Sequence, residues 1–393
     1  MPCAGSPTAM RSGGWSSPHD RSPVTDFVVI GGGIAGVAAA AHLAPHGSVT
    51  LLEMESSLAY HTTGRSAALF VVNYGGRASR PLARASQPFF ESPPEGSTEG
   101  PLLSDRGALW VAEETQTDQL ALIAREGVAS GAGSRIVDPG EMLAMVPALR
   151  TERIAGGIYE PSARDIDVAG LHQAFVRIAR SHQAEIVPSA PVTGLTALGE
   201  RWRVSTPDQT LDCKAVVNAA GAWGDRIAAL AGVEPIGLQP MRRTAFMVPG
   251  EESYSRWPMV VDVGDNWYFR PDGVQLLCSL CEEKPAEPGD PRPDMEDVAL
   301  AIERINQATT LGIRSVSSQW TGLRTFAPDR DLVIGEEPTA PGFFWLVGQG
   351  GTGIMTSPAY GALISSQVLG MSPPEDLVRA GVDPARTSAA RFR

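Results

Sequence analysis

The chain has 393 residues, a formal net charge of -12, 43% hydrophobic and 19% charged residues, which is an ordinary composition for a folded globular protein. Single hydrophobic cores stop growing near about 250 to 300 residues, so this length predicts about two domains. The acidic balance, without any Lys/Arg cluster, argues against nucleic acid as a partner, because phosphate binding needs a basic surface.

The chain begins with a segment rich in Ser, Pro, Gly and Arg that lacks the apolar stretch of a secretory signal. We predict a disordered tail over 1–23, with Met10 as an alternative start. The most apolar run, Val28 to Leu43, contains four glycines and is shorter than the roughly 20 residues of a membrane helix. Four cysteines give no disulfide framework, which favours a reducing compartment. We therefore expect a cytoplasmic protein without an integral membrane segment, and leave peripheral membrane attachment open.

The segment from Asp26 to Glu53 predicts a β-α-β unit. Two apolar runs of strand length, DFVVI and VTLLE, flank a glycine turn and a small-residue helix that ends at Gly47. Continuously apolar strands are typical of a parallel sheet that is buried on both faces.

The glycine turn has the spacing Gly31-x-Gly33-x-x-Gly36, and Glu53 follows Gly31 by 22 residues at the end of the second strand. Glycines there permit a tight turn and a close approach of the backbone to a pyrophosphate, which meets the helix N-terminus. The acid is positioned to accept hydrogen bonds from ribose hydroxyls. Because the motif stands between a strand and a helix, it predicts a dinucleotide site, but it does not distinguish NAD from FAD.

Further elements follow in chain order. We predict a strand over 107–114, helices over 115–131 and 138–147, and an amphipathic helix over 165–183 that Asp167 caps. A strand at 184–188 and a strand, turn and helix over 214–232 return to the style of the first unit. The region 241–324 is mostly strand-like with one helix near 296–307, and the chain closes with strand, glycine turn and helix over 343–370. Cys278 and Cys281 lie in a strand-like stretch, where residues three apart face opposite ways, so we predict no metal site.

Four segments resemble the FAD-dependent oxidoreductases of the D-amino-acid oxidase family, and the similarity covers about Thr25 to Gly370. They are VVIGGGIAG with VTLLE, YHTTGRSAALF, AVVNAAGAWGDRIAALAG, and DLVIGEEP with GFFWLVGQGGTGIMTSP. Within that family, QPMRRTAF, WPMVVDVGDNWYFRPD and TGLRTF are most similar to the bacterial D-arginine dehydrogenases.

The resemblance implies an α/β fold. An FAD-binding Rossmann-like domain of the glutathione-reductase type would be assembled from 24–57, 80–98, 160–235 and 325–380. A β-rich α+β substrate domain would be inserted as 58–79, 99–159 and 236–324.

The resemblance also implies FAD, bound non-covalently, since no cysteine follows Cys281 where sarcosine oxidases carry their flavin-linking one. The late glycines are expected to begin a helix whose N–H groups stabilise the reduced flavin. Val187 is expected to contact adenine through its backbone. The full predicted set is Gly31, Gly33, Ile34, Ala35, Gly36, Glu53, Thr63, Gly64, Arg65, Ser66, Val187, Ala220, Gly221, Trp223, Gly350, Gly351, Thr352, Gly353 and Ile354.

Arg324, Arg243 and Tyr268 match the residues that bind the substrate carboxylate in this family, and Tyr74 and Gly351 complete the predicted catalytic set. A guanidinium binds a carboxylate through two parallel hydrogen bonds. The reaction implied is hydride transfer from Cα to flavin N5, which turns a small amino acid into an imine and then a 2-oxo acid. No histidine follows His182, so no histidine base is available in the second half of the chain.

Three positions depart from the D-arginine dehydrogenases. Leu69 and Val71 stand where those enzymes carry polar residues, and Ala108 aligns with their guanidinium-binding glutamate. Trp110 shares a strand face with Ala108. We expect an apolar pocket without a counter-charge for a cation, and hence neutral, apolar or aromatic D-amino acids as substrates. A shifted alignment would instead bring Asp105 or Glu113 into the pocket.

Two other functions use the same fold. One is a glycine/sarcosine-type or other secondary-amine oxidase, and the other is an FAD-dependent 2-hydroxy-acid dehydrogenase. Either oxygen or a quinone serves as the electron acceptor.

Overall fold

The computed structural model describes residues 1, 24–129 and 133–393, so the tail predicted over 1–23 lies outside the described residues except for residue 1. The strands are β1 Phe27–Ile30, β2 Val49–Leu52, β3 Leu69–Phe70, β4 Leu103–Asp105, β5 Ala108–Ala112, β6 Arg135–Val137, β7 Gly156–Glu160, β8 Arg164–Ile166, β9 Glu185–Val187, β10 Gly194–Leu198, β11 Arg201–Ser205, β12 Thr210–Cys213, β13 Ala215–Asn218, β14 Gln239–Pro249, β15 Met259–Asp262, β16 Tyr268–Asp272, β17 Gln275–Ser279, β18 Lys284–Pro285, β19 Ser318–Phe326, β20 Val333–Glu336 and β21 Phe343–Val347. The helices are α1 Ile34–Leu43, α2 Ser79–Glu91, α3 Thr117–Ala129, α4 Pro139–Met145, α5 Val168–Ser181, α6 Gly224–Leu230, α7 Met295–Ala308, α8 Ser357–Val368, α9 Glu375–Arg379 and α10 Pro384–Thr387.

A six-stranded sheet in the order β20-β21-β13-β1-β2-β9 contains the predicted glycine motif at the end of β1. Its pairs are parallel except β20 with β21, and the β-α-β unit predicted from Asp26 to Glu53 is confirmed. Side chains alternate between its faces. Phe27 and Val29 pack with helices α1, α5 and α8, whereas Val28 and Ile30 pack with the antiparallel meander β10-β11-β12. Both faces are covered, which explains why its strands are uniformly apolar.

The second large sheet is mixed and runs β18-β14-β17-β16-β15-β5-β7-β6, with β19 also paired to β14. One face packs on α7, where Phe246, Val260 and Phe269 join the core around Ile305. The opposite face carries Ala245, Val261 and Tyr268, which pack in a separate small cluster. That second face forms a wall of the cavity described below.

Several predicted helices are confirmed. The helix predicted over 165–183 is α5, and the Asp167 carboxylate caps it by accepting from the backbone N–H of Gly170. The helices predicted over 115–131 and 138–147 correspond to α3 and α4, and the one near 296–307 is α7. The pattern did not reveal α2, because Pro88 lies inside it although Leu82, Ala83 and Phe90 form a buried face.

The prediction that the late glycines begin a helix is wrong. Residues after Gly350 form successive turns, and α8 starts only at Ser357, with a proline in its first turn. Gly350 has φ +53°, a left-handed conformation outside the helical region, and glycine lowers helix propensity.

The prediction that both C-x-x-C cysteines lie in one strand is also wrong. Strand β17 ends at Ser279, and Cys281 follows it with a left-handed φ of +63°. Likewise the strand-like stretch 259–273 is a hairpin, because the polar residues at 264–266 turn the chain between β15 and β16.

A buried ion pair fixes the edge of the six-stranded sheet. The Glu337 carboxylate is fully buried and accepts from Arg393 Nε at 2.9 Å and Nη2 at 2.7 Å, and from Trp345 Nε1 at 3.0 Å. Burial alone would raise the pKa of Glu337, but the Arg393, Thr339 and Trp345 donors lower it from 4.5 to about 2. A depressed pKa means that the ionised carboxylate stabilises the folded state above pH 4.5, and that this contribution is lost as the pH falls towards 2.

We expect Glu337→Gln to lower the free energy of unfolding at pH 7 by about 3 kcal/mol, because it leaves a buried guanidinium without its counter-charge. Chemical denaturation of variant and parent measures this difference, and the difference should narrow between pH 4.5 and 2. Glu200→Gln, at an exposed turn, is the control. Equal stability of the Glu337 variant and the parent at pH 7 would contradict the prediction.

Candidate active site

A cavity of about 470 Å³ runs between the carboxyl ends of β1, β2 and β13 and the free face of the large sheet. Its walls include Gly31, Glu53 and Ala219 at one end and Tyr268 and Arg324 at the other. In open α/β sheets ligands bind outside the carboxyl ends of the strands, which is where this cavity begins.

The glycine turn is built for close backbone contact. Gly31 has φ +111°, and a Cβ there would lie 2.5 Å from the Ala219 carbonyl oxygen. A Cβ on Gly36 would lie only 1.8 Å from the Gly31 carbonyl oxygen, so neither position accepts a side chain. The Glu53 carboxylate accepts from the N–H of Gly32 at 2.6 Å and from that of Glu55 at 2.8 Å. Glu53 thus fixes the turn while it lines the cavity.

His172 supports the same turn from helix α5. Its Nε2 lies 3.0 Å from the Gly32 carbonyl oxygen, and since a carbonyl only accepts, this nitrogen carries the proton. Burial lowers the pKa of His172, although the hydrogen bond to Gly32 opposes this. The imidazole is therefore neutral at pH 7, and no sequence motif pointed to it.

The segment from Thr63 to Ser66 connects the glycine turn to the large sheet. The Thr63 hydroxyl accepts from the Ile34 N–H at 2.9 Å, at the start of α1. Arg65 donates from Nη1 to the Thr321 carbonyl oxygen at 2.9 Å and pairs with Asp290 at 2.5 Å. The Arg65 guanidinium thus binds protein groups, while the residue also lines the cavity, and the contact of this segment with the cofactor stays a prediction.

The late glycine turn presents free donors. Within the described residues, the backbone N–H groups of Gly351, Gly353, Ile354 and Met355 donate to no protein acceptor. All four residues line the cavity. Unpaired N–H groups that face a cavity form a site for an anionic or carbonyl group of a ligand, although they do not belong to a helix.

Arg324 lies at the other end of the cavity beside Tyr74 and Gly351. Its Nη1 donates to the Tyr74 hydroxyl at 3.4 Å, and a Cβ on Gly351 would lie 3.0 Å from that nitrogen. Burial would lower the pKa of Arg324, but the Tyr74 and Tyr268 phenols raise it above its ordinary value, so the guanidinium is charged. Tyr268 is buried and lines the same wall.

Arg243 reaches this end of the cavity too, but it has protein partners. Its Nε donates to the Glu282 carbonyl oxygen at 2.9 Å, and its Nη2 lies 3.5 Å from Glu283, which also pairs with Arg330 at 2.8 Å. Its positive charge is therefore partly balanced within the protein.

Apolar side chains form another part of the cavity lining. The predicted pocket residues Leu69, Val71, Ala108 and Trp110 all line the cavity, and Met259 and Val261 from β15 extend this wall. The alternative residues Asp105 and Glu113 do not line it.

The sequence did not indicate a carboxylate in this cavity, but Asp265 lines it. Cys281 lies nearby, and burial raises its pKa to about 12, so the thiol is protonated. Sequence reasoning missed both residues, since the hairpin turn that holds Asp265 had been interpreted as strand. The polar GDN triplet at 264–266 was the available signal.

Most of the predicted cofactor residues meet at the cavity. Those that line it are Gly31, Gly33, Ile34, Ala35, Glu53, Thr63, Arg65, Ser66, Ala220, Gly221, Trp223, Gly350, Gly351, Gly353 and Ile354. Gly36, Gly64, Val187 and Thr352 do not. Gly36 and Gly64 allow close packing behind the wall, the Val187 carbonyl accepts from Glu53 N–H, and the Thr352 hydroxyl donates to the Gln349 carbonyl.

These features define a flavin-dependent oxidoreductase. A dinucleotide fits the glycine cradle and Glu53, and the free N–H groups of the late turn fit the electron-rich edge of a flavin. The chain belongs to the DAO family of FAD dependent oxidoreductases, whose model matches residues 26–367. Its cofactor is FAD.

Three relatives illustrate the similarity. Human mitochondrial sarcosine dehydrogenase is 26% identical over 374 residues, which cover 90% of this chain but 40% of that protein. The glycine oxidase of Geobacillus kaustophilus has a TM-score of 0.81 at 22% identity, covering 93% of this chain and 98% of that one. L-proline dehydrogenase from P. horikoshii also has a TM-score of 0.81, at 20% identity and with 93% and 98% covered. The chain spans less than half the length of the sarcosine and dimethylglycine dehydrogenases that it matches.

The described residues contain neither a membrane-spanning helix nor a cluster of metal-binding side chains. No helix there is long and apolar enough to cross a bilayer. No group of three or more His, Cys, Asp or Glu side chains there is arranged to hold a metal ion.

We expect Gly31→Ala to yield protein with little bound FAD. The substitution forces a left-handed φ on alanine, at about 1 to 3 kcal/mol, and places its Cβ against the Ala219 carbonyl. The ratio of flavin to protein absorbance, with FAD titration of the stripped protein, measures the loss. Gly100→Ala, which meets no atom within 4 Å, is the control. Full FAD occupancy in the Gly31 variant would be inconsistent with a cradle at this turn.

Proposed function

We propose that the protein catalyses FAD-dependent oxidative deamination of an amino acid with an apolar or aromatic side chain. The proposal includes the D configuration, which rests on the resemblance to bacterial D-arginine dehydrogenases. The observation that carries it is the charged Arg324 beside the Tyr74 hydroxyl, in one cavity with Tyr268 and with apolar lining residues.

Arg324 binds the substrate carboxylate in this proposal. Within the described residues it pairs with no carboxylate, so its charge is available to a ligand, and a guanidinium binds a carboxylate bidentately. The Tyr268 and Tyr74 hydroxyls complete the clamp. Arg243 adds positive potential but retains its contacts with Glu282 and Glu283.

In this proposal the apolar lining residues determine which substrate side chains bind. Leu69, Val71, Ala108 and Trp110 offer apolar surface, which stabilises a buried aliphatic or aromatic group and penalises an unpaired cation.

Bound FAD would supply the oxidising power by accepting the hydride from Cα. The clamp fixes the substrate so that its Cα–H bond has one orientation in the cavity, which is how positioning contributes to the rate. The amine is neutral for this step, so a bound ammonium group first releases one proton to solvent. As Cα–H breaks, the nitrogen lone pair forms C=N, and a second N–H proton then leaves to give the imine. Water then adds to the imine to give the 2-oxo acid and ammonia.

The remaining assignments belong to the same proposal. Gly31 and Gly33 contact the pyrophosphate, Glu53 the ribose, and the late-turn N–H groups the flavin ring, which is held non-covalently. The strands of the six-stranded sheet fall within the proposed FAD-binding segments 24–57, 160–235 and 325–380, which supports those domain bounds.

A second candidate is the oxidation of a secondary amine such as an N-methylated glycine. The similarity to human sarcosine and dimethylglycine dehydrogenases favours it. The same clamp would hold the carboxylate, and the apolar wall would face the N-alkyl group.

One titration separates these functions. The yellow protein is mixed anaerobically with D- and L-amino acids, N-methyl amino acids and 2-hydroxy acids, and flavin bleaching is followed. Bleaching by apolar D-amino acids supports the proposal, and bleaching by N-methyl glycines supports the second candidate. Bleaching by 2-hydroxy acids alone contradicts both. Readmission of air then distinguishes oxygen from a quinone as acceptor.

We expect Arg324→Leu to retain FAD but to lower kcat/KM, because the substrate carboxylate loses its charged partner. The loss corresponds to an increase of about 2 to 5 kcal/mol in the activation free energy. Steady-state kinetics with the best substrate of the panel measures this loss. Arg314→Leu, which replaces an exposed arginine outside the cavity lining, should change nothing. Unchanged kinetics for the Arg324 variant would refute the clamp.

We expect Ala108→Glu to shift the preference towards cationic substrates, since the new carboxylate would enter the apolar wall. The ratio of kcat/KM for D-arginine to that for a neutral D-amino acid should rise about tenfold or more, the worth of one charged hydrogen bond. Ala112→Glu, buried at the other end of β5 and outside the cavity lining, is the matched control. A ratio that does not rise would show that position 108 does not face the side chain.

A further inference from the structure

The turn between β15 and β16 is held by one buried carboxylate. Asp262 is 5% exposed, and its Oδ2 accepts from the N–H of Gly264 at 3.0 Å, from the N–H of Asn266 at 3.1 Å and from Asn266 Nδ2 at 2.6 Å. Its Oδ1 accepts from Gln116 Nε2 at 2.9 Å. Four donors on one carboxylate fix the loop against α3 and its preceding turn, so the residue at its tip has a defined position.

That residue is Asp265, which has an unusual backbone. Its φ of +53° is left-handed, and the Asp265 N–H donates to the Asp262 carbonyl oxygen at 2.9 Å. Left-handed backbone at a residue other than glycine is uncommon, and it is concentrated at functional sites.

The Asp265 carboxylate opens into the cavity. It has no hydrogen bond or ion pair to any of the described residues, although the charges of Arg243 and Arg324 act on it. Burial raises the pKa of Asp265, and the two arginines lower it. A carboxylate held beside two arginines, yet bonded to neither, is available to a ligand.

At this end of the cavity, two charged side chains have no oppositely charged partner among the described residues. Arg243 already contacts Glu283, which also pairs with Arg330. Among the described residues, Arg324 pairs with no carboxylate and Asp265 with no cation, and both residues line the cavity. A ligand that carries an anion and a cation a few bonds apart matches this pair.

We infer that Asp265 binds the α-ammonium group of a zwitterionic amino acid while Arg324 binds its carboxylate. This inference rests on the proposed function and deepens it. Asp265 becomes the residue that selects amino acids over 2-hydroxy acids and simple carboxylic acids, because only the amine offers a positive charge. It also fixes the nitrogen relative to Cα, through the second of two anchoring points on the substrate.

An alternative role for Asp265 is to control the passage of ligands between two cavities. A second cavity of about 460 Å³ shares Asp265 and Cys281 with the first, and Lys284, Glu282 and Arg304 line it. A gate would alter the entry of every ligand alike, whereas an ammonium partner distinguishes ligands by charge.

The test compares two ligand classes on Asp265→Asn. Asparagine tolerates a left-handed backbone, so the turn is retained, and FAD content and Tm verify this. For the amino acid, which reduces the flavin, the dissociation constant comes from the concentration dependence of the anaerobic flavin-reduction rate in stopped flow. For the analogues it comes from perturbation of the flavin spectrum. The ligands are the best amino-acid substrate of the parent and two analogues that lack the amine, the matching 2-hydroxy acid and the matching simple carboxylic acid.

We expect the variant to bind the amino acid about 10- to 100-fold more weakly, as for loss of a hydrogen bond between charged groups. The two anionic analogues should bind equally or more tightly, because a negative charge has been removed. Asp265→Glu should restore part of the discrimination, and Asp208→Asn, at an exposed turn, should match the parent.

An unchanged ratio of amino-acid to analogue affinity would overturn the inference, whether both classes keep their affinity or are weakened equally. Slower binding of both classes at that unchanged ratio would indicate a gate. If no amino acid or amine reduces the parent flavin, the proposed function itself fails, and that result is visible before any variant is made.

Discussion

The rest of the site depends on the close packing of backbone at the glycine turn, where Gly31 lies against the Ala219 carbonyl and Gly36 against the Gly31 carbonyl. With Cβ positions only 2.5 Å from the Ala219 carbonyl and 1.8 Å from the Gly31 carbonyl, the turn exists only without side chains. Around it converge Glu53 from β2, His172 from α5 and Thr63 from the following loop, each through a hydrogen bond to the turn or to the start of α1. Three separated parts of the chain thus fix one backbone conformation, and the cavity opens directly in front of it.

The same turn determines where the substrate end lies. Thr63 holds the start of α1, and its neighbours bind β19: the Thr62 hydroxyl donates to the Leu323 carbonyl oxygen at 2.7 Å and Arg65 to that of Thr321 at 2.9 Å. Arg324 follows directly in that strand. Because extended strands are stiff over a few residues, two backbone contacts suffice to set the guanidinium at a fixed distance from the glycine turn. The segment Thr62 to Arg65 therefore links the start of α1 to β19 through hydrogen bonds.

How much the sequence predicted depends on how local each signal was. The β-α-β unit, the glycine spacing, Glu53 and the Asp167 cap are written within a few dozen residues, and the structure has them. Arg324, Tyr74 and Gly351 were predicted from resemblance, and their mutual contact spans most of the chain. The start of α8, the role of Arg65 and the presence of Asp265 were missed. Each depends on tertiary context: a series of turns, an ion pair with the distant Asp290, and a hairpin that a strand-like pattern concealed.

The presence of Asp265 in the cavity changes the ligand selectivity that we expect from the apolar wall. From the sequence, Leu69, Val71 and Ala108 implied a pocket without negative charge, so cationic ligands were disfavoured and nothing distinguished an amine from an alcohol. In the structure the wall remains apolar, and Asp265 lines the same cavity. In the proposed binding mode its carboxylate contacts the ammonium group of an amino acid and not its side chain. An apolar side-chain pocket and a charge-selective anchoring end are then compatible, since they contact different parts of one substrate. Selectivity among side chains and selectivity for the amine are separate properties of this cavity, and substitutions at 108 and at 265 should change them independently.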